Sequence, residues 1–338
     1  MPMSVPHQYV ERETGTVRTE QLFGDRLVRF LYHPLREHAP KLFNAFTSPR
    51  CSAALALFNY DFALGCRVLG NRRFLQEAGV NLRECLDPLE QLDTARKVFE
   101  RKIRYWECRP LPAEPRAVLS PADARMLIGS FREDCQLFLK GKFFDFEELL
   151  GCDRPRWQKA FAGGDFAIFR LTPDKYHYNH TPVSGRVIDF YELDGVFHSC
   201  NPQAVVTAVT PYSKNRRVVT VFDTDVPGGT GVGLVAMIEV VALMIGEVVQ
   251  CYSDHAYADP IPMRPGLNVG RGRPKSLFKP GSSTDVLIFE AGRVRFDEDL
   301  LRNQGRAQVS SRFSKGFGCS LVETDVQVRS RIAMPADV

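Results

Sequence analysis

The spacing of apolar positions along this chain changes about a third of the way from its N-terminus. Over residues 1–110, apolar residues recur every three or four positions, which is the period of a helix with one buried face. The clearest stripe consists of Leu22, Phe23, Leu27, Phe30 and Leu31. The spacing therefore predicts a helical N-terminal region, which includes a charged helix over residues 86–106.

Beyond residue 110 the pattern is that of short strands separated by turns. Pro110, Pro112 and Pro115 form a linker that favours neither helix nor strand. Apolar and β-branched runs then alternate with turn residues. We predict strands over residues 166–170, 185–191, 204–209, 217–222, 234–240, 246–251, 285–290 and 293–296. The chain is thus predicted to be an α+β protein, with a helical region over residues 1–110 and a β-rich domain over residues 111–338.

Two environments suit the apolar stripe at residues 22–31. Arg26 and Arg29 lie beside it, and apolar anchors with interleaved arginines are typical of a helix lying in a membrane interface. A stripe of this kind also packs on a protein's own core. The pattern alone leaves both environments open.

Composition narrows the class of protein. The 338 residues are 44% hydrophobic and 25% charged, as in globular proteins. A net charge of +4 gives no reason to expect nucleic acid as a partner. The longest apolar run, residues 236–249, is interrupted by Glu239 and Glu247, so no membrane-spanning helix is predicted.

The cysteines indicate the cellular compartment. All nine are scattered without C-x-x-C spacing, and we predict neither a disulfide framework nor a metal site. Residues 1–9 lack the pattern of a signal peptide. We therefore expect reduced thiols in a cytoplasmic protein.

Residues 281–284 (GSST) have the composition needed for cleavage of the chain by one of its own serines. They follow a turn-forming segment, residues 271–274 (RGRP), and precede a strand-like run. A serine hydroxyl in a strained turn can attack the preceding carbonyl, so that an ester replaces the amide. Elimination and loss of ammonia then leave a pyruvoyl group on the new N-terminus. Gly281 lacks the Cβ that would hinder this attack.

Two upstream segments make this interpretation more specific. Residues 120–124 (SPADA) and 176–185 (YHYNHTPVSG), taken with GSST, resemble motifs of the phosphatidylserine decarboxylase family in content, order and spacing. The family's motifs are S/T-P-A-D-G, D-Y-H-R-x-H-x-P-x-x-G and G-S-T. Further similar stretches, which extend the resemblance over most of the chain, are residues 8–15 (QYVERETG), 197–202 (FHSCNP), 238–246 (IEVVALMIG) and 293–300 (RVRFDEDL).

The resemblance implies a pyruvoyl-dependent decarboxylase that converts phosphatidylserine to phosphatidylethanolamine and releases CO₂. It assigns Asp123 and His180 to activation of the cleaved serine, and His177 to decarboxylation. The implied partners are phosphatidylserine in an anionic membrane surface, the cleaved α and β chains, and further copies of the protein in a homo-oligomer. The implied location is peripheral, on the cytoplasmic face of the cell membrane.

Two registers of cleavage stay open. We expect cleavage between Gly281 and Ser282, because glycine on the carbonyl side favours attack. A gap-free count back from Phe289 and Glu290 instead favours Ser283. That alignment would place Ser282 where many relatives have a second glycine.

The chain also departs from the family pattern. Lys175 replaces the family's Asp before Tyr-His, and Tyr178-Asn179 replaces its Arg-x between the two histidines. Ala124 replaces the last Gly of S-P-A-D-G. Val241 and Met244 replace the Gly and Asn of V-E-V-G-A-x-N-V-G. None of these changes removes a catalytic side chain, but several can reshape the substrate pocket.

Three alternatives remain from the sequence. A decarboxylase with the same mechanism could act on a free amino acid, such as an aromatic one. A serine hydrolase could use Ser, His and Asp, although a G-x-S-x-G elbow is missing. A non-enzymatic binding relative would leave its chain uncleaved.

Overall fold

The computed structural model describes residues 5–22, 79–132, 143–208, 210–242, 247–281 and 283–336. The strands of these segments are β1 (Gln8–Glu11), β2 (Val17–Thr19), β3 (Val118–Leu119), β4 (Ala124–Ser130), β5 (Asp165–Leu171), β6 (Tyr178–His180), β7 (Gly185–Leu193), β8 (Arg217–Asp223), β9 (Leu234–Val241), β10 (Val248–Gln250), β11 (Asn268–Val269), β12 (Pro274–Phe278), β13 (Ser283–Phe289), β14 (Val294–Phe296), β15 (Glu323–Val326) and β16 (Arg331–Pro335).

The helices are all short. They are α1 (Ala95–Phe99), α2 (Tyr105–Cys108), α3 (Phe146–Leu150), α4 (Pro155–Ala160), α5 (Pro202–Thr207), α6 (Pro211–Lys214), α7 (Glu298–Gln304) and α8 (Arg312–Phe317), with a 3₁₀ turn at Leu89–Gln91.

One large sheet forms the framework of the described chain. Its strand order is β11-β7-β8-β9-β13-β5-β4-β15-β1-β2. Neighbouring strands are antiparallel except for β1 and β15, which run parallel. Every residue of β4, β5 and β13 is buried. Because strand side chains alternate between two faces, both faces of the sheet are covered at its centre.

A smaller sheet, with the order β10-β12-β6, packs on the centre of the large sheet. The chain leaves the small sheet at the end of β12 and enters the large sheet at the start of β13. Gly281 lies in this crossing, and Ser283 and Thr284 are the first two residues of β13. A third sheet, β14-β16-β3, completes the described strands.

The structure confirms the α+β class and most of the predicted strands, with ends that differ by a few residues. The strand predicted over residues 204–209 is wrong, because residues 204–207 belong to α5. Asn201 caps this helix by accepting a hydrogen bond from the Gln203 amide, and Pro202 occupies its first turn. This local signal outweighs the β-branched residues that follow.

The N-terminal region contains more than helices where it is described. Residues 8–11 and 17–19 form β1 and β2 at the edge of the large sheet. The predicted helix over residues 86–106 consists instead of a 3₁₀ turn, α1 and the start of α2. Thr94 caps α1, and Ile103 makes an isolated β-bridge to Cys85. The apolar stripe from Phe23 to Leu31 lies outside the described residues.

Within the described segments, we find no helix with the length and apolar character that crossing a membrane requires.

Candidate active site

The two upstream motifs meet in the folded chain. The backbone amide of His180 donates a hydrogen bond to the carbonyl of Pro121 at 2.7 Å. Within the first motif, the Ser120 hydroxyl donates to the carbonyl of Ala122 at 2.7 Å. Asp123, His177 and His180 are all buried. Sequence segments more than fifty residues apart therefore form one buried neighbourhood.

Asp123 is held by an arginine rather than by a histidine. Arg109 donates to both carboxylate oxygens, at 3.1 and 2.9 Å, and the Val328 amide donates to Oδ1 at 2.7 Å. Burial alone would raise the pKa of Asp123, but the charge and hydrogen bonds of Arg109 outweigh it and lower this pKa. Asp123 is thus a fixed negative charge at neutral pH.

Both ring nitrogens of His180 have partners. Nδ1 lies 3.0 Å from the carbonyl oxygen of Gly272, which can only accept, so Nδ1 carries the proton. Nε2 lies 2.9 Å from the Tyr176 hydroxyl and accepts from it. Burial lowers the pKa of His180 to about 3. The ring is therefore neutral, with its basic lone pair directed at Tyr176.

An aromatic cluster surrounds His180. The Tyr105 ring meets the imidazole edge-on with centroids 4.7 Å apart. The Tyr257 hydroxyl lies 2.7 Å from that of Tyr176 and extends the hydrogen-bond chain from His180. Tyr178, Leu277 and Val328 complete this packed face of the small sheet.

His177 contrasts with His180. Its ring stacks on Phe99 with centroids 3.5 Å apart. Both ring nitrogens are buried and make no hydrogen bond of normal geometry among the described residues, although the Lys175 backbone lies close enough to act on the ring. Burial, with a smaller effect from Arg101, lowers the pKa of His177 to about 3. Its backbone carbonyl accepts from the Phe278 amide at 3.1 Å, which places His177 beside the segment that leads to GSST.

The cleavage segment has an unusual backbone and an unpartnered hydroxyl. Gly281 adopts a φ of 150°, which residues with a Cβ rarely adopt. Ser283 opens β13, opposite Val241 of β9 and Leu171 of β5. Its hydroxyl is buried without a hydrogen-bond partner among the described residues. Ser282 lies outside the described residues.

A buried polar network lies between the two sheets, next to this segment. Glu239 of β9 accepts from Lys275 and Ser276 of β12, from Asn179 of β6 and from Gln250 of β10. A bulge in β12 turns both Lys275 and Ser276 toward Glu239. This network identifies the face of β9 and β13 that is directed at the small sheet.

Sequence reasoning missed Asp285 and the partners of Glu239. Asp285 pairs directly with Glu239 across β13 and β9, so both side chains lie on the same face. A signal was present, because each is an acidic residue within a strand that is otherwise largely apolar. Their proximity could not be inferred without the strand register.

The residues present fit a carbonyl group at the start of β13. Buried atoms without hydrogen-bond partners among the described residues include the Ser283 hydroxyl, the His177 ring nitrogens and one oxygen of Asn179. Buried polar atoms in folded proteins are almost always partnered. The unpartnered hydroxyl at the start of β13 therefore has hydrogen-bonding capacity left for a polar reacting group.

One acidic cluster, away from these residues, has a spacing that could hold a metal ion. It comprises His7, Glu20 and Glu323. Arg170, however, donates to Glu20 and Glu323 at 2.6 Å each. The guanidinium thus already neutralises the carboxylates that a metal would need.

Comparison with known proteins supplies the family. A family model described as phosphatidylserine decarboxylase matches residues 95–315. A phosphatidylserine decarboxylase proenzyme of Fusobacterium nucleatum is 26% identical over 317 residues, which cover 92% of this chain and 97% of that protein.

Two further relatives bear the same name. The proenzyme of Ruminiclostridium cellulolyticum is 26% identical over 295 residues, covering 87% of this chain and 91% of the relative. That of Chlamydia trachomatis serovar L2 is 29% identical over 298 residues, covering 87% and 90%. The matched region contains the SPADA, YHYNHTPVSG and GSST segments described above. The chain belongs to the phosphatidylserine decarboxylase family.

Proposed function

We propose that this protein cleaves its own chain at Gly281-Ser282-Ser283 and then converts phosphatidylserine to phosphatidylethanolamine with release of CO₂. The observation that carries the proposal is the buried, unpartnered hydroxyl of Ser283, which follows a glycine-specific backbone at the start of β13. Family membership and the name of the relatives support the substrate.

The first step is an acyl shift within the chain. The serine hydroxyl attacks the carbonyl of the residue before it, and the amide becomes an ester while the amine is released. Elimination across the serine Cα–Cβ bond then releases the β chain with a C-terminal carboxylate and leaves a dehydroalanine on the α chain. Water hydrolyses the imine tautomer of this residue to a carbonyl and ammonia. If Ser282 reacts, the β chain ends at Gly281; if Ser283 reacts, it ends at Ser282.

His180 is our candidate for the base in this step. It is neutral, and the proton on Nδ1 leaves a lone pair on Nε2 that could accept the serine proton. His180 lies on the face of the small sheet that is directed away from β13, so Nε2 has to leave the Tyr176 hydroxyl and reach the serine from that side. Asp123 does not bond to the ring, but its negative charge favours the protonated form of His180. We therefore assign Asp123 an electrostatic and positioning role.

His177 is our candidate for the decarboxylation step. A pyruvoyl group would supply an electron sink for the electrons that remain when CO₂ departs. His177 would seat the substrate or return a proton to carbon, and its unpartnered ring nitrogens are free to bond to a ligand. The low pKa indicates that the ring enters this step uncharged, so it has to take up a proton before it can return one to carbon.

The lipid substrate requires contact with a membrane. A diacyl lipid leaves the bilayer only at a cost of about 0.8 kcal/mol for each exposed CH₂. We therefore propose peripheral binding to the anionic inner face of the cell membrane, with the apolar stripe at residues 22–31 as the docking element. We also propose a homo-oligomer of α and β chains.

A second candidate substrate is a free amino acid, such as an aromatic one. The observation in its favour is Val241, which stands directly opposite Ser283 where the family has glycine. An isopropyl group at this position narrows the space beside the reacting serine. Decarboxylation of water-soluble amino acids without detergent would support this alternative, whereas activity confined to phosphatidylserine vesicles would exclude it.

A denaturing gel combined with intact-mass measurement tests the proposed function. Purified protein should give two chains, and the smaller one should carry a carbonyl that borohydride reduces. A single chain of 38.2 kDa without such a carbonyl would contradict the proposal.

A further inference from the structure

Asp285 is the least satisfied acidic side chain of the central strands. It lies two residues after Ser283 on β13, and alternation along the strand places both side chains on the same face. Asp285 is fully buried, and neither of its carboxylate oxygens has a hydrogen-bond partner among the described residues. An unpartnered buried carboxyl group is costly, so a structural role does not account for it.

Glu239, the neighbouring carboxylate, has a full set of hydrogen bonds. Each oxygen of Glu239 accepts two hydrogen bonds: Oε1 from Ser276 and Asn179, and Oε2 from Lys275 and Gln250. Four bonds fill the acceptor capacity of a carboxylate. A cationic ligand bound beside these two carboxyl groups would therefore find its free acceptor on Asp285 rather than on Glu239.

The nearby ammonium group of Lys275 is also already paired. The Lys275 ammonium lies 2.6 Å from Glu239 Oε2 and 2.9 Å from Gln250 Oε1. Burial raises the pKa of Asp285 well above its usual range, Glu239 raises it further, and Lys275 offsets a part. Without a ligand, the uncharged form of Asp285 is therefore favoured, and the pair formed by Glu239 and Lys275 balances its own charge.

We propose that Asp285 binds the primary ammonium group of the substrate and directs it to the carbonyl formed at the start of β13. This assignment rests on the proposed function, because it is the cleaved serine that makes the neighbouring position reactive. The ligand class is a primary amine that carries its positive charge into the site.

The proton balance of this step is explicit. Binding of R–NH₃⁺ to the neutral acid releases the carboxyl proton to solvent and leaves an ion pair between the ammonium and the carboxylate. Transfer of one N–H proton to the carboxylate then restores the neutral acid and frees the lone pair of the amine. Only an amine with a free lone pair can attack a carbonyl carbon, so Asp285 also prepares the nucleophile.

Calorimetry can detect the proton released on binding. The purified protein is first treated with borohydride, so that no reactive carbonyl contributes to the signal. Binding of sn-glycero-3-phosphoethanolamine is then measured in phosphate and in Tris, which differ in ionisation enthalpy. Wild type should release about one proton per site near pH 7, because the neutral acid ionises as the ammonium arrives. Glycerol 3-phosphate, which lacks the amine, should release none.

Two variants and a control define the role of the side chain. Asp285→Asn keeps the shape and should abolish proton release, and KM for phosphatidylserine should rise by about tenfold or more while self-cleavage continues. Asp165→Asn removes another buried aspartate at the far end of the adjacent strand β5, and it should change neither proton release nor KM. Asp285→Val should keep the fold, since it replaces an unpartnered acid by an apolar residue in a buried strand.

Separate outcomes identify which idea fails. Unchanged proton release and unchanged KM in Asp285→Asn would overturn the assignment to Asp285 and leave the proposed function intact. Loss of folding in both Asp285 variants would also overturn it, because it would show a structural partner. A third outcome is a wild type that never cleaves or decarboxylates but still releases a proton through Asp285. This result would refute the proposed function and support the assignment of Asp285 as the amine-binding residue.

Discussion

The two faces of the small sheet differ in how completely their polar groups are satisfied. On the face that carries His180, both ring nitrogens are bonded and tyrosine rings pack around them. On the face directed at the large sheet, one oxygen of Asn179 has no partner among the described residues, and the same holds for the facing Ser283 and Asp285 side chains. The first face has the order of a protein core, whereas the second has the unused hydrogen-bonding capacity of a binding site.

This difference shows how one short strand can serve two purposes. Asn179 and His180 are adjacent in β6, and alternation directs them to opposite faces. His177 lies just before the strand, with its ring stacked on Phe99. We infer that His180 is oriented by its surroundings before reaction, while His177 is left free to respond to a ligand.

The largest expected effect separates the two histidines by function. His180→Ala and Asp123→Ala should leave the chain uncleaved, because the serine would lose its base or the charge that supports it. His177→Ala should cleave normally but decarboxylate about 10²- to 10⁴-fold more slowly, as expected for a missing acid–base group. Gel analysis and release of labelled CO₂ measure the two steps separately.

Tyr176→Phe is the matched control for this experiment. It removes the hydroxyl bonded to Nε2 but leaves the Gly272 contact that orients the ring, so cleavage should continue. Normal turnover by His177→Ala would show that the role assigned to His177 is wrong. Efficient cleavage by His180→Ala would show that another residue acts as the base.

The second prediction concerns the stability of the network between the sheets. Lys275→Met leaves the fully buried Glu239 carboxylate without its cation, which should lower the free energy of unfolding by about 3–5 kcal/mol. Lys97→Met breaks an exposed pair with Asp93 and should cost less than about 1 kcal/mol. Urea unfolding of the two variants gives the comparison. Equal, small losses would mean that Lys275 and Glu239 are not a buried ion pair.

The third prediction uses the pH dependence of stability. The pKa of His177 falls from about 6.5 to about 3 on folding, so the unfolded chain binds the proton first as pH drops below 6.5. Folded wild type should therefore lose about 1.4 kcal/mol per pH unit through this one group between pH 6.5 and 3. His177→Phe, which retains a ring to stack on Phe99, should lack this loss.

The measurement is best made where cleavage cannot intervene, so both Ser282 and Ser283 are changed to Ala. In this uncleaved protein, urea unfolding is compared at pH 7 and pH 5 with and without the His177→Phe substitution. From pH 7 to pH 5, the unfolding free energy of the protein with His177 should fall by about 2 kcal/mol more than that of the His177→Phe variant. An identical pH dependence in the two proteins would show that His177 is not buried and neutral.

Local sequence patterns predicted the strands well, because a run of apolar and β-branched residues between turns can be recognised as a strand without knowing which strand it pairs with. The runs that became β5, β8, β9 and β13 are of this kind. The helix α5 was missed because Asn201 and Pro202 start a helix regardless of the valines that follow. Here a capping signal of two residues outweighs the propensity of the longer run.

Site residues could be predicted only where a motif carried them. Asp123, His177, His180 and the serines were identified through resemblance, and their roles stay predictions. Contacts that depend on distant chain segments were beyond the sequence: Val328 bonds to Asp123 across 205 positions, and Lys275 meets Glu239 across 36. Strand register and the bulge in β12 determine such pairs, and neither leaves a local pattern.

We propose that the chain cleaves itself where it passes from the small sheet to β13 of the large sheet. Intact-mass measurement of wild type, Ser282→Ala and Ser283→Ala tests it most directly. We expect two chains from wild type, a carbonyl on the smaller one, and a single uncleaved chain from only one of the two variants. The mass of the wild-type β chain then places the break after Gly281 or after Ser282. One intact chain from freshly purified and from aged wild type alike would contradict the claim.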